Sequence, residues 1–324
     1  MLPQKTLDEY NAVKTAVGLF DFSIEGKIKV TGNGRIDFIN GLASNDVKNL
    51  KEGNGIYAAF LDKLGRVLSD CIIYKFDDFL LLNMGFMGKK NMIKKLKDEA
   101  PLGKSEIEDL SLKYGLFSLQ GPGSEHSIKS LLGIDLGLKN ENDCQIENVT
   151  IKNKAIEIII TKSSRTDEGG FDIFFPAEIY TDLKKIFLEH NVTIISNEAY
   201  HILRLEAKKP LYGIDFNEKN ILTEITEKAT SYEKGCFVGQ EIIARIKNIA
   251  KGKTVKKLFL FSVHSEIIQE KNEKIFCDEK EAGYVTSSAY SVKLKKALAF
   301  GFLYKGFHEK DDFRIKTFKA SLLK

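Results

Sequence analysis

Short β-type runs joined by tight turns, interleaved with amphipathic helical stretches, constrain this chain more than any other feature. Ile56 to Phe60 meets a turn at Asp62 to Gly65, returns through Arg66 to Phe76, turns at Asp77-Asp78 and continues as Phe79 to Asn83. Turns this short favour antiparallel hairpins over crossover connections. Helical spacing marks Asn33 to Ala43, Lys89 to Glu99, a stretch after Gly121-Pro122-Gly123, Ala177 to His190 and Asn197 to Lys208. Leu116 to Gln120, Ile156 to Thr161, Phe171 to Phe175 and Val192 to Ile195 read as strands. Hairpins mixed with helices, without strict strand–helix alternation, predict an α+β fold.

Beyond about residue 247 the texture becomes β-rich: Lys256 to Val263, Glu281 to Thr286 and Ala297 to Tyr304 are short runs broken by Gly and Ser. The expected division is therefore residues 1–246 for the α+β region and 247–324 for a C-terminal β domain. Five lysines between Lys247 and Lys257 read as a solvated linker or, alternatively, an anion site. A length of 324 residues with 43% hydrophobic and 29% charged side chains excludes disorder and a disulfide scaffold. The net charge of +4 is too small for the footprint of an obligate nucleic-acid binder. The four cysteines form no CxxC pair, which points to reduced thiols and a cytoplasmic setting. The start lacks a secretory or transit pattern, and no apolar run approaches the ~20 residues that span a bilayer, so no membrane partner is expected.

The common catalytic signatures are missing. Gly32-Asn33-Gly34 fails the dinucleotide pattern at Asp37, and there is no phosphate loop, serine elbow or zinc-binding His-Glu-x-x-His. The five histidines are too scattered to show metal spacing. One segment stands apart: Lys234-Gly235-Cys236-Phe237-Val238-Gly239-Gln240-Glu241, followed by the helix-like Ile242 to Ile246. Two glycines bracketing a cysteine imply special backbone conformations or close approaches. Gln240 and Glu241 would suit the unpaired amides and positive end of a helix start. Cys236, with Lys234 two residues away, fits either a thiol of lowered pKa or a small buried residue filling a tight turn.

The octapeptide resembles that of the YgfZ family of folate-binding proteins, relatives of the glycine cleavage system T-protein, the aminomethyltransferase. The resemblance continues through Val30-Thr31-Gly32, Asp37-Phe38-Ile39, Ser44-Asn45-Asp46-Val47, Gly65 to Asp70 and Leu119-Gln120-Gly121-Pro122. It also covers Thr166 to Asp172, Arg204-Leu205-Glu206-Ala207, Pro210 to Gly213 and Gly283 to Ser291.

What the resemblance implies is an aminomethyltransferase-like fold of ring-arranged α+β subdomains with a C-terminal β-barrel-type domain. It implies tetrahydrofolate as ligand, with no metal and no nicotinamide. Asp172 falls on the acid that faces the pterin edge and Arg204 on the pocket arginine, with an ordinary ion pair as the alternative for each. Cys236 would be the functional thiol of the octapeptide. The implied role is a tetrahydrofolate-binding accessory protein that supports iron–sulfur cluster assembly or repair in client proteins. The alternative is a folate-dependent one-carbon transferase, of aminomethyltransferase or demethylase type. Two departures bear on that choice. Lys90 stands where aminomethyltransferases carry an aspartate, and Arg165 replaces the aromatic before the Thr166 stretch, so stacking on a pterin falls to Phe or Tyr.

Overall fold

The computed structural model describes residues 2–249 and 252–323. Lys251, one of the five linker lysines, lies outside the described residues. Two compact units share the chain: Met1–Asn40, Asp46–Ala58 and Cys71–Tyr200 form the first, and Gly41–Asn45, Ala59–Asp70 and His201–Lys324 the second.

In the first unit a six-stranded sheet runs in the order Thr193–Ile194, Gly18–Asp21, Tyr114–Gln120, Gly170–Pro176, Lys154–Lys162, Cys144–Ile151. Every pairing is antiparallel except the first. Strand Gly170–Pro176 is buried on both faces. Alternation sends Phe171, Ile173 and Phe175 into a core that includes Leu183 and Phe187 of helix Tyr180–Glu189 and Ile128 of helix Ser124–Leu132. Phe174 joins a second core with Tyr74, Phe79, Leu81 and Ile159. Asp172 has the parity of Phe174, so a carboxylate is carried mid-strand toward that second core. A second sheet has the order Asn54–Leu61, Val67–Lys75, Phe79–Met84, Gly26–Thr31, Glu106–Asp109, its first three strands joined by the hairpin turns read from the sequence.

The second unit contains a closed six-stranded barrel, in the order Lys256–Val263, Lys296–Tyr304, Lys280–Ser291, Lys274–Cys277, Phe313–Ile315, Phe318–Leu322. Its interior is filled by Phe261, Val263, Ile275, Val285, Leu303, Phe313 and their neighbours. Closure leaves no free sheet edge, which explains how short strands suffice. The fold is α+β with a C-terminal β barrel.

Local differences have physical causes. Ala177 to His190 opens as a 3₁₀ turn, Ala177–Ile179, before the helix Tyr180–Glu189. The helix expected at Lys89 begins earlier, at Phe86. Helix Gln4–Thr15 escapes a periodicity reading because its buried stripe mixes Tyr10 and Val13 with Thr6 and Glu9. Strands Lys274–Cys277 and Phe313–Ile315 are too short to carry an alternation signal.

Candidate functional site

Asp172 lies at the centre of an ionic cluster built from four segments of the first unit. Its strand pairs it with Ser118 on one side and Thr161 on the other, and its side chain is fully buried. The loop joining Lys154–Lys162 to Gly170–Pro176 supplies Arg165. That loop is anchored by Gln120, whose amide donates to Ser163 O (2.7 Å) and accepts from Arg165 N–H (2.7 Å). The Arg165 fork grips Asp172, with Nε donating to both oxygens (3.1 and 3.0 Å) and Nη2 to Oδ2 (2.7 Å). Its outer edge grips Glu25 in the same bidentate way, at 2.9 and 3.1 Å.

Glu25 comes from the turn between Gly18–Asp21 and Gly26–Thr31. Two ammonium groups hold that turn through its carbonyls. Lys27 Nζ donates to Ser23 O (2.9 Å) and Glu25 O (2.8 Å), and Lys89 Nζ to Ile24 O (2.6 Å). Asn83, on strand Phe79–Met84, donates its amide to Glu25 Oε2 at 3.0 Å. Phe22 lies under the guanidinium, 4.1 Å from ring centroid to the central carbon, and Tyr200 packs edge-on against Phe22. The ring at this place is thus Phe22, and the group it supports is Arg165.

The electrostatics follow from this geometry. Burial disfavours the charge on Arg165, yet Asp172 and Glu25 outweigh it and hold the guanidinium pKa well above its ordinary value. Burial, then the nearby Asp172 charge, push the Tyr74 phenol well above its usual range, and Thr161 donates to its oxygen (3.2 Å). Burial lowers the pKa of Lys27 to about 8, against the pull of Glu25. Arg165 is thus the group that bridges the two acids, while Lys27 sits on the Glu25 turn close enough to feel the Glu25 charge.

Arg204 belongs to the second unit and to a different network. Its Nη1 donates to Asp215 (2.7 Å) and Lys209 O (3.2 Å), Nη2 to Ser287 (3.1 Å) and Nε to His201 Nδ1 (3.2 Å). Thr286 and Ser287 donate in turn to the other Asp215 oxygen. Burial, then Arg204, lower the His201 pKa, and a neutral ring with its proton on Nε2 satisfies both Arg204 and Ser288 O. Four donor contacts inside a sealed network make Arg204 a strut between its helix and barrel strand Lys280–Ser291. The ion-pair alternative for Arg204 has its partner here in Asp215, and the guanidinium's hydrogen bonds are met within the protein.

The octapeptide is also a clasp. Lys234 is buried, and its ammonium donates to Ala43 O (2.7 Å) and Asn45 O (3.0 Å) while lying over the Phe237 ring. Ser44 donates to Ala229 O, and Val238 N–H donates to Gly41 O (3.3 Å). Gly239 has φ +83°, and a Cβ there would stand 2.6 Å from Asp62 O, so glycine is required. Gly235 is different: a Cβ would meet nothing within 4 Å, which corrects the idea that both glycines answer a steric demand. Helix Gln240–Asn248 does start at Gln240, whose side-chain oxygen accepts Phe237 N–H (3.4 Å), while Glu241 is exposed. Cys236 is the exposed thiol; Cys71, Cys144 and Cys277 are buried, and burial pushes Cys144 up to about 12. Lys90 is exposed on helix Phe86–Glu99.

Sequence reasoning missed Glu25, Asn83 and Phe22 as a group. Only the Arg165 departure pointed toward them, because a buried arginine in place of an aromatic demands carboxylate partners.

The GCVT N-terminal domain pattern matches residues 3–227, and the glycine cleavage T-protein C-terminal barrel domain matches residues 256–322. The chain belongs to the GCVT family. An aminomethyltransferase of Thermosipho melanesiensis is 31% identical to this GCVT chain, over 98% of the chain and 87% of that relative. One from Staphylococcus haemolyticus is 29% identical over 91% of the chain and 81% of its own length. The crystal structure of the glycine cleavage system aminomethyltransferase T from Bartonella henselae superposes with a TM-score of 0.86 at 21% identity, covering 98% of this chain and 88% of that one, which shows the shared fold.

These relatives overturn the expected accessory role in iron–sulfur cluster assembly. They are named aminomethyltransferases, and they support the broad GCVT family rather than the narrower YgfZ branch. The comparison favours the transferase alternative.

Proposed function

We propose that this GCVT chain is a folate-dependent one-carbon transferase of the aminomethyltransferase type, with tetrahydrofolate held at the Asp172 cluster. The observation that carries the reading is identity of 28–31% to aminomethyltransferases along nearly the whole chain. The donor set fits the ligand in kind. A pterin presents an amino group and a ring N–H side by side, and a buried carboxylate receives such an edge bidentately. Asp172 already receives a planar fork in that manner, and Phe22 already supports a planar group. Bound tetrahydrofolate supplies the nitrogen that accepts the one-carbon unit.

The chain's own residues then divide the remaining work. Asp172 orients the ring edge from a rigid central strand. Asn83 and the lysine-held turn fix Glu25. Lys90 cannot stabilise a developing positive charge, so that task falls to Glu25, the other carboxylate of the cluster. Membership of the YgfZ branch rests on the octapeptide Lys234 to Glu241 and on the Lys90 departure, and it is kept apart from the iron–sulfur role. Cys236 is the exposed thiol of that octapeptide and would be available to a donor or partner.

Calorimetric titration with tetrahydrofolate, beside Asp172→Ala, tests the binding half. Saturable binding that the substitution removes is the expected result. Turnover is tested by the appearance of methylene- or methyl-tetrahydrofolate from an amine or sulfonium donor. A folded protein that binds folate yet yields neither product sinks the transferase reading.

A further inference from the structure

We infer that Arg165 is a removable internal occupant of a socket for a planar N–C–N edge, and that a ligand such as a 2-amino-4-oxopyrimidine ring enters by displacing its guanidinium. The inference rests on the proposed assignment of Asp172 to the ring edge and deepens it by naming what must leave. A guanidinium and a 2-aminopyrimidinone share one pattern: coplanar N–H groups about a single carbon. Arg165 shows that pattern against Asp172, bidentate and with its central carbon over the Phe22 ring. One carboxylate cannot receive two such forks at once.

The surroundings favour movement of Arg165 rather than of its partners. Asp172 is fixed within a seven-residue central strand, whereas Arg165 extends from a loop and its side chain keeps 15% of its exposure. Glu141 lies beside that loop, with both carboxylate oxygens accepting Ser164 N–H at 3.1 and 3.2 Å. It offers the expelled guanidinium an outer carboxylate. Among the described residues Arg165 is the only side-chain cation that donates to the carboxylate oxygens of Asp172 or Glu25, so its departure frees both acids to receive another N–H-rich edge. In the Arg204 network the guanidinium is sealed in, with 1% of its side chain exposed.

The test uses guanidinium chloride at low millimolar concentration, far below denaturing levels, with sodium chloride as control. Arg165→Ala should be stabilised saturably by guanidinium, with a rise in melting temperature that wild type does not show. Tetrahydrofolate should bind Arg165→Ala at least tenfold more tightly than wild type, and guanidinium should compete with it only in the variant. Should Arg165→Ala fail to fold, Arg165→Lys keeps the charge, lacks the fork, and should likewise bind tetrahydrofolate more tightly than wild type. No selective rescue by guanidinium, or folate binding equal to or weaker than wild type, overturns the inference. If neither protein binds tetrahydrofolate while 2-amino-4-oxopyrimidine competes with guanidinium in the variant, the folate reading falls and the socket stands.

Discussion

Two buried arginines in this protein meet buried aspartates, and the surroundings give them opposite characters. Arg204 faces one carboxylate, Asp215, inside a network in which Ser287, Thr286, His201 and a backbone carbonyl take up the remaining hydrogen bonds. Charge is balanced and water excluded. Arg165 faces two carboxylates, Asp172 and Glu25, with one side of the cluster reaching solvent. The first arrangement is what packing requires of a charge that must be buried. In the second a loop-borne guanidinium bridges two carboxylates, and it is the one proposed to exchange partners.

The sharpest way to break this contrast is to remove each arginine. Arg204→Ala strands Asp215 in a closed interior and should cost about 3–5 kcal/mol in urea unfolding. Replacing the pair together, Arg204→Met with Asp215→Leu, should cost much less than the two single changes summed. Arg165→Ala should cost only about 2 kcal/mol, because Arg165 and Glu25 are partly exposed and truncating the side chain opens the cluster to water. Equal losses at the two sites would erase the distinction between strut and occupant.

A second effect separates the sites by pH. Lys27 holds the turn that carries Phe22 and Glu25, and burial has lowered its pKa to about 8 from an ordinary 10.5. Between those values the unfolded chain binds more protons than the folded one, so stability rises with pH across that window. Burying the charged ammonium costs stability below pH 8, and the cost is relieved as the group deprotonates. The shift corresponds to a rise of up to about 3 kcal/mol over the window. Lys27→Met should flatten the rise in unfolding measured from pH 7.5 to 10, while Arg204→Ala should leave its slope untouched. An unchanged slope in Lys27→Met removes Lys27 as the source.

What was legible in the sequence follows the same division. Hairpins, helices and the barrel strand Lys256–Val263 announced themselves because burial on one face imposes a period on the residues. Asp172 and Arg204 were visible only by resemblance, and the resemblance could not tell an acid that shares its arginine with Glu25 from one half of a closed ion pair. That difference lies in Asp215, which precedes no recognisable motif, and in Ser287, 83 residues along the chain from Arg204. Glu25 was invisible for a related reason. A lone glutamate in a turn reads as surface until Arg165 is brought against it.

The smallest effects test whether the octapeptide shares the closed character of the Arg204 network. At Gly239 the left-handed backbone, φ +83°, and the 2.6 Å approach to Asp62 O leave no room for a side chain. Gly239→Ala should therefore cost about 1–3 kcal/mol. Gly235 has open space around it, and Cys236 is exposed, so Gly235→Ala and Cys236→Ser should stay within about 0.5 kcal/mol of wild type in the same measurement. Such a split means that Lys234 and Gly239 close the clasp around Gly41–Asn45, whereas Gly235 and Cys236 face outward for a reason unrelated to folding. A large loss from Cys236→Ser would instead make the thiol part of the clasp and end any comparison with the open site.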